Sequence, residues 1–470
     1  MRTANIFRIA FHAILLTFLF VLPAFSQQRW QRTYGGTGDD ESRSVQQTTD
    51  GGYIVAGYTG APSPVPYQIY LIKTNASGDT LWTRTYGGTG DEWGYSVQQT
   101  TDGGYIVVGR TYSFGNNEEV YLVKTNSFGD TLWTKTYGGT GDEWGSSVQQ
   151  TQDGGYIVAG DASSFGNIRQ VYLVKTNASG DTLWTRNYGG ASDDWGRSVQ
   201  QTTDGGYIVA GGTTSFGNGS QVYLVKTNAS GDTLWTRTYG EMSEEYGFSV
   251  RQTSDTGFIV AGVTRSFGNY IQVYLVKTNA SGDTLWTRNY GGTTEDEGWS
   301  VQQTTDGGYI ISGYTGSFGV DYYQVYLVKT DASGDTLWTR TYGDTLDDGG
   351  YSVQQTTDGG YIVAGYTYSI GNYNQVYLIK TDANGNVGVE SNPTSRLTPY
   401  ASRLAVSPNP FSSFATVPGH SHDRFSLYDI SGRRVGIFRG DRIGEGLAPG
   451  VYFLRAESGK AKPLRVVKVR

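Results

Sequence analysis

Cysteine is absent from the 470-residue chain, and histidine occurs only as His12, His420 and His422. Between Gln27 and Asn386 these two absences remove disulfide staples, thiol nucleophiles, His-dependent triads and the ordinary zinc ligand sets together. Acid–base chemistry there would fall to carboxylates, Tyr or Lys. Methionine (2) and proline (11) are scarce. Only Ile9 to Leu22 forms a long apolar run, and it is shorter than the ~20 residues needed to span a bilayer, so no transmembrane segment is expected in the mature chain. Positive charge is also short in the middle of the chain, where residues 27–386 sum to −16 against +6 for residues 404–470. A nucleic-acid partner, which demands a basic surface, is not expected.

What is abundant is glycine (68) and tyrosine (36), a balance that suits short strands joined by tight turns. Residues 1–26 read as a signal peptide: Arg2 and Arg8 supply the positive start, Ile9 to Leu22 the apolar run, and Ala24-Phe25-Ser26 a small-x-small cleavage site. Self-similarity then dominates. Asp50-Gly51-Gly52-Tyr53 recurs at Asp102, Asp153, Asp204, Asp306 and Asp358, with Asp255-Thr256-Gly257-Phe258 as a divergent copy, at spacings of 51 or 52 residues. Each period holds four stretches with strand chemistry, as in Ser96–Thr100, Tyr105–Val108, Val120–Lys124 and Thr131–Lys135, here strands A to D. Between them lie turn sequences such as Asp-Gly-Gly and Asn-Ala-Ser-Gly-Asp. Four strands in ~50 residues is the content of one β-propeller blade.

The two ends of the repeat region fit each other. It opens with a lone strand D at Trp30–Tyr34 and finishes with a strand C at Val376–Lys380, giving seven strands of each type. Pairing the spare strand with the unfinished last blade closes a ring. The expected fold is therefore all-β: a seven-bladed propeller over residues 27–386 closed by its N-terminal strand, a linker over 387–403, and a small C-terminal β-sandwich over 404–470.

Strands C and D with their turn, Val171 to Trp184, resemble the tryptophan-docking motif of quinoprotein-type propellers through a Ser or Thr, then Gly, three residues and Trp. That resemblance implies a Trp on the outer strand that locks neighbouring blades. Thr176 stands where the family usually has Asp. The Asp-Gly-Gly-Tyr-Ile-Val-Ala-Gly unit also resembles repeats of secreted bacterial propellers without assigned function. Ser179–Trp184 is similar to the sialidase Asp-box, but it lacks the Gly after Asp and is two residues short, so it reads as a shared turn solution.

The final ~67 residues carry Ser407-Pro408-Asn409-Pro410-Phe411, then Leu427-Tyr428-Asp429-Ile430-Ser431-Gly432-Arg433-Arg434-Val435, then Leu447–Arg455, and end on Val466-Val467-Lys468-Val469-Arg470. These blocks resemble the C-terminal sorting domain of the type IX secretion system. The resemblance implies type IX machinery as a partner through residues 404–470, with export to the periplasm, passage through the outer membrane, and removal of the domain. The mature protein would then be secreted or held on the outer cell surface.

Carboxylates cluster after strand D, at Asp39-Asp40-Glu41, Asp91-Glu92, Asp142-Glu143, Asp193-Asp194, Glu244-Glu245, Glu295-Asp296-Glu297 and Asp347-Asp348. Seven near-equivalent pairs lack the asymmetry that a glycosidase's two carboxyls require, and they read as solvated turn residues. No cofactor is expected; calcium is the one ion these oxygen-rich turns suggest. Asp382-Ala383-Asn384-Gly385-Asn386 has a partial likeness to a calcium loop but is more simply a hairpin turn.

Positions that vary among near-identical copies are not fixed by blade packing. The residue before Ser-Val of strand A is Arg43, Tyr95, Ser146, Arg197, Phe248, Trp299 and Tyr351 in turn. Strand A is innermost, so these residues should ring one mouth of the channel. Arg43, Tyr95, Arg197, Phe248, Trp299 and Tyr351 are the candidate ligand-binding residues, with inter-blade packing as the alternative role. Two residues earlier come Glu41, Trp93, Trp144, Trp195, Tyr246, Glu297 and Gly349. The B–C loops, from Ala61-Pro62-Ser63-Pro64 to Tyr322-Tyr323-Gln324, also vary as partner-facing loops do. The function expected is non-catalytic binding of a glycan or protein. The rivals are a carboxylate-dependent glycan-active enzyme, a quinoprotein-like oxidoreductase, and a rigid scaffold without a specific ligand.

Overall fold

Each period of the sequence becomes one antiparallel four-stranded sheet. In the computed structural model the described residues are 29–60, 65–115, 117–164, 168–217, 219–241, 243–267, 270–318, 322–368, 373–388, 412–417, 424–429, 433–456 and 464–469. The signal segment, nearly all of the linker, the Ser407–Phe411 block and the Ser431-Gly432 turn lie outside them. Strand β1 (Trp30–Tyr34) comes first, and the first complete sheet is β2 (Asp40–Gln47), β3 (Tyr53–Thr59), β4 (Gln68–Thr74) and β5 (Thr80–Tyr86) in that order. The same order repeats five times from β6 (Glu92–Gln99) to β25 (Thr336–Tyr342). The last sheet takes β26 (Asp348–Gln355), β27 (Tyr361–Thr367) and β28 (Gln375–Thr381) from the C-terminal end and β1 from the other, paired from Trp30 opposite Lys380 to Tyr34 opposite Val376. Seven sheets thus form a closed β-propeller.

Strands B and C are covered on both faces by neighbouring blades. This is why they read as continuous apolar runs rather than alternating ones, with Tyr53, Ile54, Val55 and Ala56 all at most 1% exposed. The core is a set of inter-blade clusters; Ile54, Ala56, Ile69 and Leu71 of one blade meet Val97, Tyr105, Val107 and Tyr121 of the next. The tryptophan of each strand D packs edge-to-face on the next blade's strand B aromatic, from Trp30 on Tyr53 at 5.7 Å to Trp338 on Tyr361 at 5.9 Å. It also covers the glycine of the next C–D turn. Gly78 holds φ +80°, and a Cβ there would stand 2.9 Å from the Trp30 ring. The tyrosine that ends each strand D donates its hydroxyl to the same glycine's carbonyl, as Tyr86 does to Gly129 at 2.7 Å. The Gly and Trp shared with the docking motif are therefore two sides of one contact between neighbouring blades.

Within each blade the Asp of Asp-Gly-Gly meets a buried lysine of strand C. Lys124 lies 2.8 Å from Asp102, donates to the Thr125 carbonyl at 2.8 Å, and has a side chain only 4% exposed. Between blades, strand A carries a belt of hydrogen bonds. The Val97 amide donates to Ser44 Oγ, and the Gln99 amide to Gln46 Oε1 at 2.6 Å. The belt crosses the seam unchanged, since the Gln47 amide donates to Gln354 Oε1 at 2.6 Å.

The chain divides into two compact units, Met1–Ser391 and Asn392–Arg470. The second contains β29 (Arg424–Tyr428), β30 (Arg434–Arg439), β31 (Gly450–Ala456) and β32 (Leu464–Lys468), in the order β30-β29-β31-β32. A short second layer, the bridge between Ala415 and Ile443, closes over Phe425, Leu427, Leu454 and Val466.

Candidate functional site

Every strand A is bulged at one place, and the bulged residue is the variable one. The register against strand B shifts between Ser42 and Ser44, between Gly94 and Ser96, and so on round the ring, which leaves Arg43, Tyr95, Ser146, Arg197, Phe248, Trp299 and Tyr351 unpaired. A bulge re-aims its side chain away from the pleat. The opposing strand B glycine permits it: a Cβ on Gly160 would stand 1.6 Å from the Trp144 carbonyl oxygen. All seven side chains are half-buried, neither free in solvent nor lost in the core.

Four of the six candidates form one connected arc. Phe248 stacks on Trp299 at 4.2 Å with the rings 5° from parallel, and Trp299 meets Tyr351 edge-on at 5.1 Å. The Arg43 guanidinium lies over Tyr351 at 3.9 Å and pairs with Glu41 at 2.7 Å. Burial works against the Arg43 charge, but Tyr351 and Glu41 outweigh it and raise the pKa, while burial pushes the Tyr351 hydroxyl up to about 12. Arginine is thus charged and tyrosine neutral throughout the physiological range. The residues pack across blades and remain partly accessible at the same time.

Tyr95 and Arg197 stand apart from this arc. Arg197 pairs with Asp161 at 2.9 Å, and Asp161, only 2% exposed, also pairs with Arg169 at 3.4 Å. Arg110 lies over Trp93 at 4.2 Å, Trp144 at 4.6 Å and Tyr95 at 5.9 Å, and pairs with Glu118 at 3.0 Å. Both groups therefore combine aromatic rings with arginine–carboxylate pairs, the first around Arg43 and Glu41 and the second around Arg110, Arg197 and their acids. Sequence reasoning missed Arg110, Asp161, Tyr58 and Tyr366. All four occupy the strand B position directly opposite the second variable row, as in Trp93 opposite Arg110 and Gly349 opposite Tyr366. The signal was available, because that position also differs from blade to blade.

The repeated acids require a correction. The first residue of each strand A, from Asp40 and Glu92 to Asp296 and Asp348, is fully buried rather than solvated. Glu92 accepts from the Gly88 amide at 3.0 Å, the Thr111 hydroxyl at 2.8 Å and the Ser113 hydroxyl, and so ties the D–A turn to strand B. The acid before it is exposed at Asp142, Asp193 and Glu244 and half-buried at Asp39, Asp91, Glu295 and Asp347. Asp382–Asn386 is a hairpin turn, with Asp382 Oδ1 accepting from the Asn384 and Asn386 amides. Among the described residues no group of three or more His, Cys, Asp or Glu side chains is placed to hold a metal ion, and no helix is long and apolar enough to cross a membrane.

Below the mouth, the Ser-Val-Gln segments of the seven strands A enclose a cavity of about 220 Å³. Its lining repeats blade by blade, except that Arg251 stands where the other copies have Gln.

The strand topology defines the chain as a β-propeller protein. No family model and no curated protein matches it. It is similar to the solved WD40 domain of Pan2 from Neurospora crassa, at 8% identity, covering 73% of this chain and 89% of that one with a TM-score of 0.46. It is also similar to a protein of unknown function from Dyadobacter fermentans, at 12% identity, covering 76% and 99% with a TM-score of 0.42. A third is PorZ of Porphyromonas gingivalis, described as an essential bacterial surface component of the type IX secretion system, at 12% identity, covering 93% and 60% with a TM-score of 0.40. The propeller assignment rests on the strand order, not on these likenesses.

Proposed function

We propose that the protein is a secreted or surface-held, non-catalytic binding propeller whose glycan or protein ligand docks at the bulge-built mouth, and that residues 404–470 are a type IX sorting domain that takes it out of the cell. The observation that carries the binding assignment is the half-buried arc of Phe248, Trp299, Tyr351 and Arg43, built at the varying positions of otherwise repeated strands. Flat aromatic faces beside a fixed cation suit sugar rings and peptide side chains alike. Further partly exposed aromatics, Phe114, Phe216, Phe267 and Phe318, lie in the segments that follow strand B. The repeated buried acids weigh against a carboxylate-dependent enzyme, because each is committed to holding a turn.

The test is a screen of glycans and peptides on residues 27–386, with and without calcium. It is repeated on a variant with Tyr95, Phe248, Trp299 and Tyr351 changed to Ala and shown to be folded. Binding lost by at least tenfold in the variant supports the mouth. Binding that the variant keeps refutes that location.

A further inference from the structure

The belt of hydrogen bonds along the strands A fails at one point, and the failure gives the cavity a chemical polarity. At Gln46, Gln98, Gln149, Gln200, Gln302 and Gln354 the side-chain Oε1 accepts the amide of the next blade, each at 2.6 Å. An amide side chain has one carbonyl oxygen and two N–H bonds. With the oxygen committed to the neighbouring backbone, Nε2 and its two hydrogens are what each glutamine has left for the cavity. The serine layer behaves likewise: Ser44 Oγ accepts from Val97 and Ser352 Oγ from Val45, each at 3.2 Å, so the hydroxyl protons are available. Each of these wall oxygens thus already accepts a bond that holds two blades together, and the glutamine N–H and serine O–H groups add donors beside them.

Arg251 adds a charge to this wall. Its Nη1 donates to the Val250 carbonyl at 2.8 Å and to Ser198 Oγ at 3.5 Å, and no carboxylate pairs with it among the described residues. Having no oxygen, it also cannot receive the amide of Gln303, the equivalent of the six that are satisfied. Burial alone acts on it and lowers its pKa, from a starting point so high that the charge remains at neutral pH. The cavity lining therefore carries one guanidinium, the N–H and O–H donors of its glutamines and serines, and no acid.

We propose that this cavity binds a single small oxyanion, a sulfate, phosphate or carboxylate group, seated on Arg251 and the flanking glutamine amides. The site is separate from the mouth and does not depend on what binds there. A free inorganic anion and the carboxylate of a larger ligand share this chemistry, and a volume of about 220 Å³ admits either.

The test titrates the full chain by calorimetry with sodium sulfate, sodium phosphate and sodium acetate at constant ionic strength held with sodium chloride, beside Arg251→Gln. That variant restores the residue found in the other six blades, so it keeps the fold. One saturable site per chain, weakened at least tenfold in Arg251→Gln, supports the proposal. Binding of acetate as well as sulfate would identify a carboxylate-bearing ligand, and binding of sulfate or phosphate alone an inorganic one. No saturable binding of any of the three, or equal binding by the variant, overturns it.

Discussion

Replacing Trp30 by alanine should open the ring at its seam, where the same change in the middle of the chain only loosens it. Trp30 is 5% exposed, packs on Tyr53 and donates its Nε1 hydrogen to the Ala76 carbonyl at 3.1 Å. Truncating a buried tryptophan costs about 3–5 kcal/mol, and the stranded carbonyl adds roughly 1 kcal/mol. The comparison is Trp184→Ala. Trp184 makes the equivalent contact with Tyr207 at 5.9 Å, but its strand is joined by the chain to strands on both sides. Strand β1 is the first strand among the described residues, joined by the chain to β2 alone among them, and is held by a five-residue ladder and its aromatic contacts. Hydrogen exchange followed by mass spectrometry on the full chain separates the two cases. Trp30→Ala should expose amides of β1 and of Val376–Lys380 while the central blades keep their protection. Trp184→Ala should show a smaller loss confined to its own neighbourhood. Equal exchange at Val376–Lys380 in the two variants would refute the argument that tethering, and not the aromatic contact alone, decides the outcome.

The repeated Lys–Asp pairs predict a shared acid sensitivity. Burial tends to raise the pKa of Asp102, Asp153 and Asp204, but hydrogen bonds from Lys, Thr and Gly outweigh it and hold each at about 2. A folded pKa below the unfolded one stabilises fully above about pH 4 and fades as pH falls toward 2. Since these carboxylates are more than half exposed, screening leaves each pair worth on the order of 1 kcal/mol or less. Melting temperature should therefore stay level down to about pH 4 and then drop, and Asp153→Asn should flatten part of that drop; an unchanged profile in the variant would contradict the assignment. Gly160→Ala should destabilise its blade by more than about 3 kcal/mol, because the new Cβ meets backbone and not a movable side chain. Urea titration showing a change below about 1 kcal/mol would mean that the bulge adapts.

The architecture was legible in the sequence because one signal was written seven times and its ends matched. The spare Trp30–Tyr34 strand and the missing last strand D pointed to the β1–β28 pairing. The buried acids were not legible: Asp40 and Glu92 sit among turn residues, and only the fold shows the Gly amide and the Ser and Thr hydroxyls converging on them. For the mouth, variation among copies found the two variable rows of strand A but not the strand B residues opposite the second, whose importance depends on cross-strand register. Arg251 was visible as the sole departure from Ser-Val-Gln-Gln, yet its meaning required knowing that each glutamine oxygen is committed to the neighbouring blade.

The bulge described for strand A separates what holds the ring from what the ring presents. The serine and glutamine bonds to the next blade's amides, the strand D tryptophan on the next strand B aromatic and the strand D tyrosine on the next turn all bypass residue 43 and its counterparts, so replacing a bulged residue alters contacts such as Phe248 on Trp299 but leaves those framework contacts the same. Apart from Arg251, the blades meet their neighbours along strand A through the same groups, so replacing a bulged residue reorders the mouth without touching the β1–β28 pairing that closes the ring. One framework is thus held constant around the ring while the bulged positions carry the differences between blades.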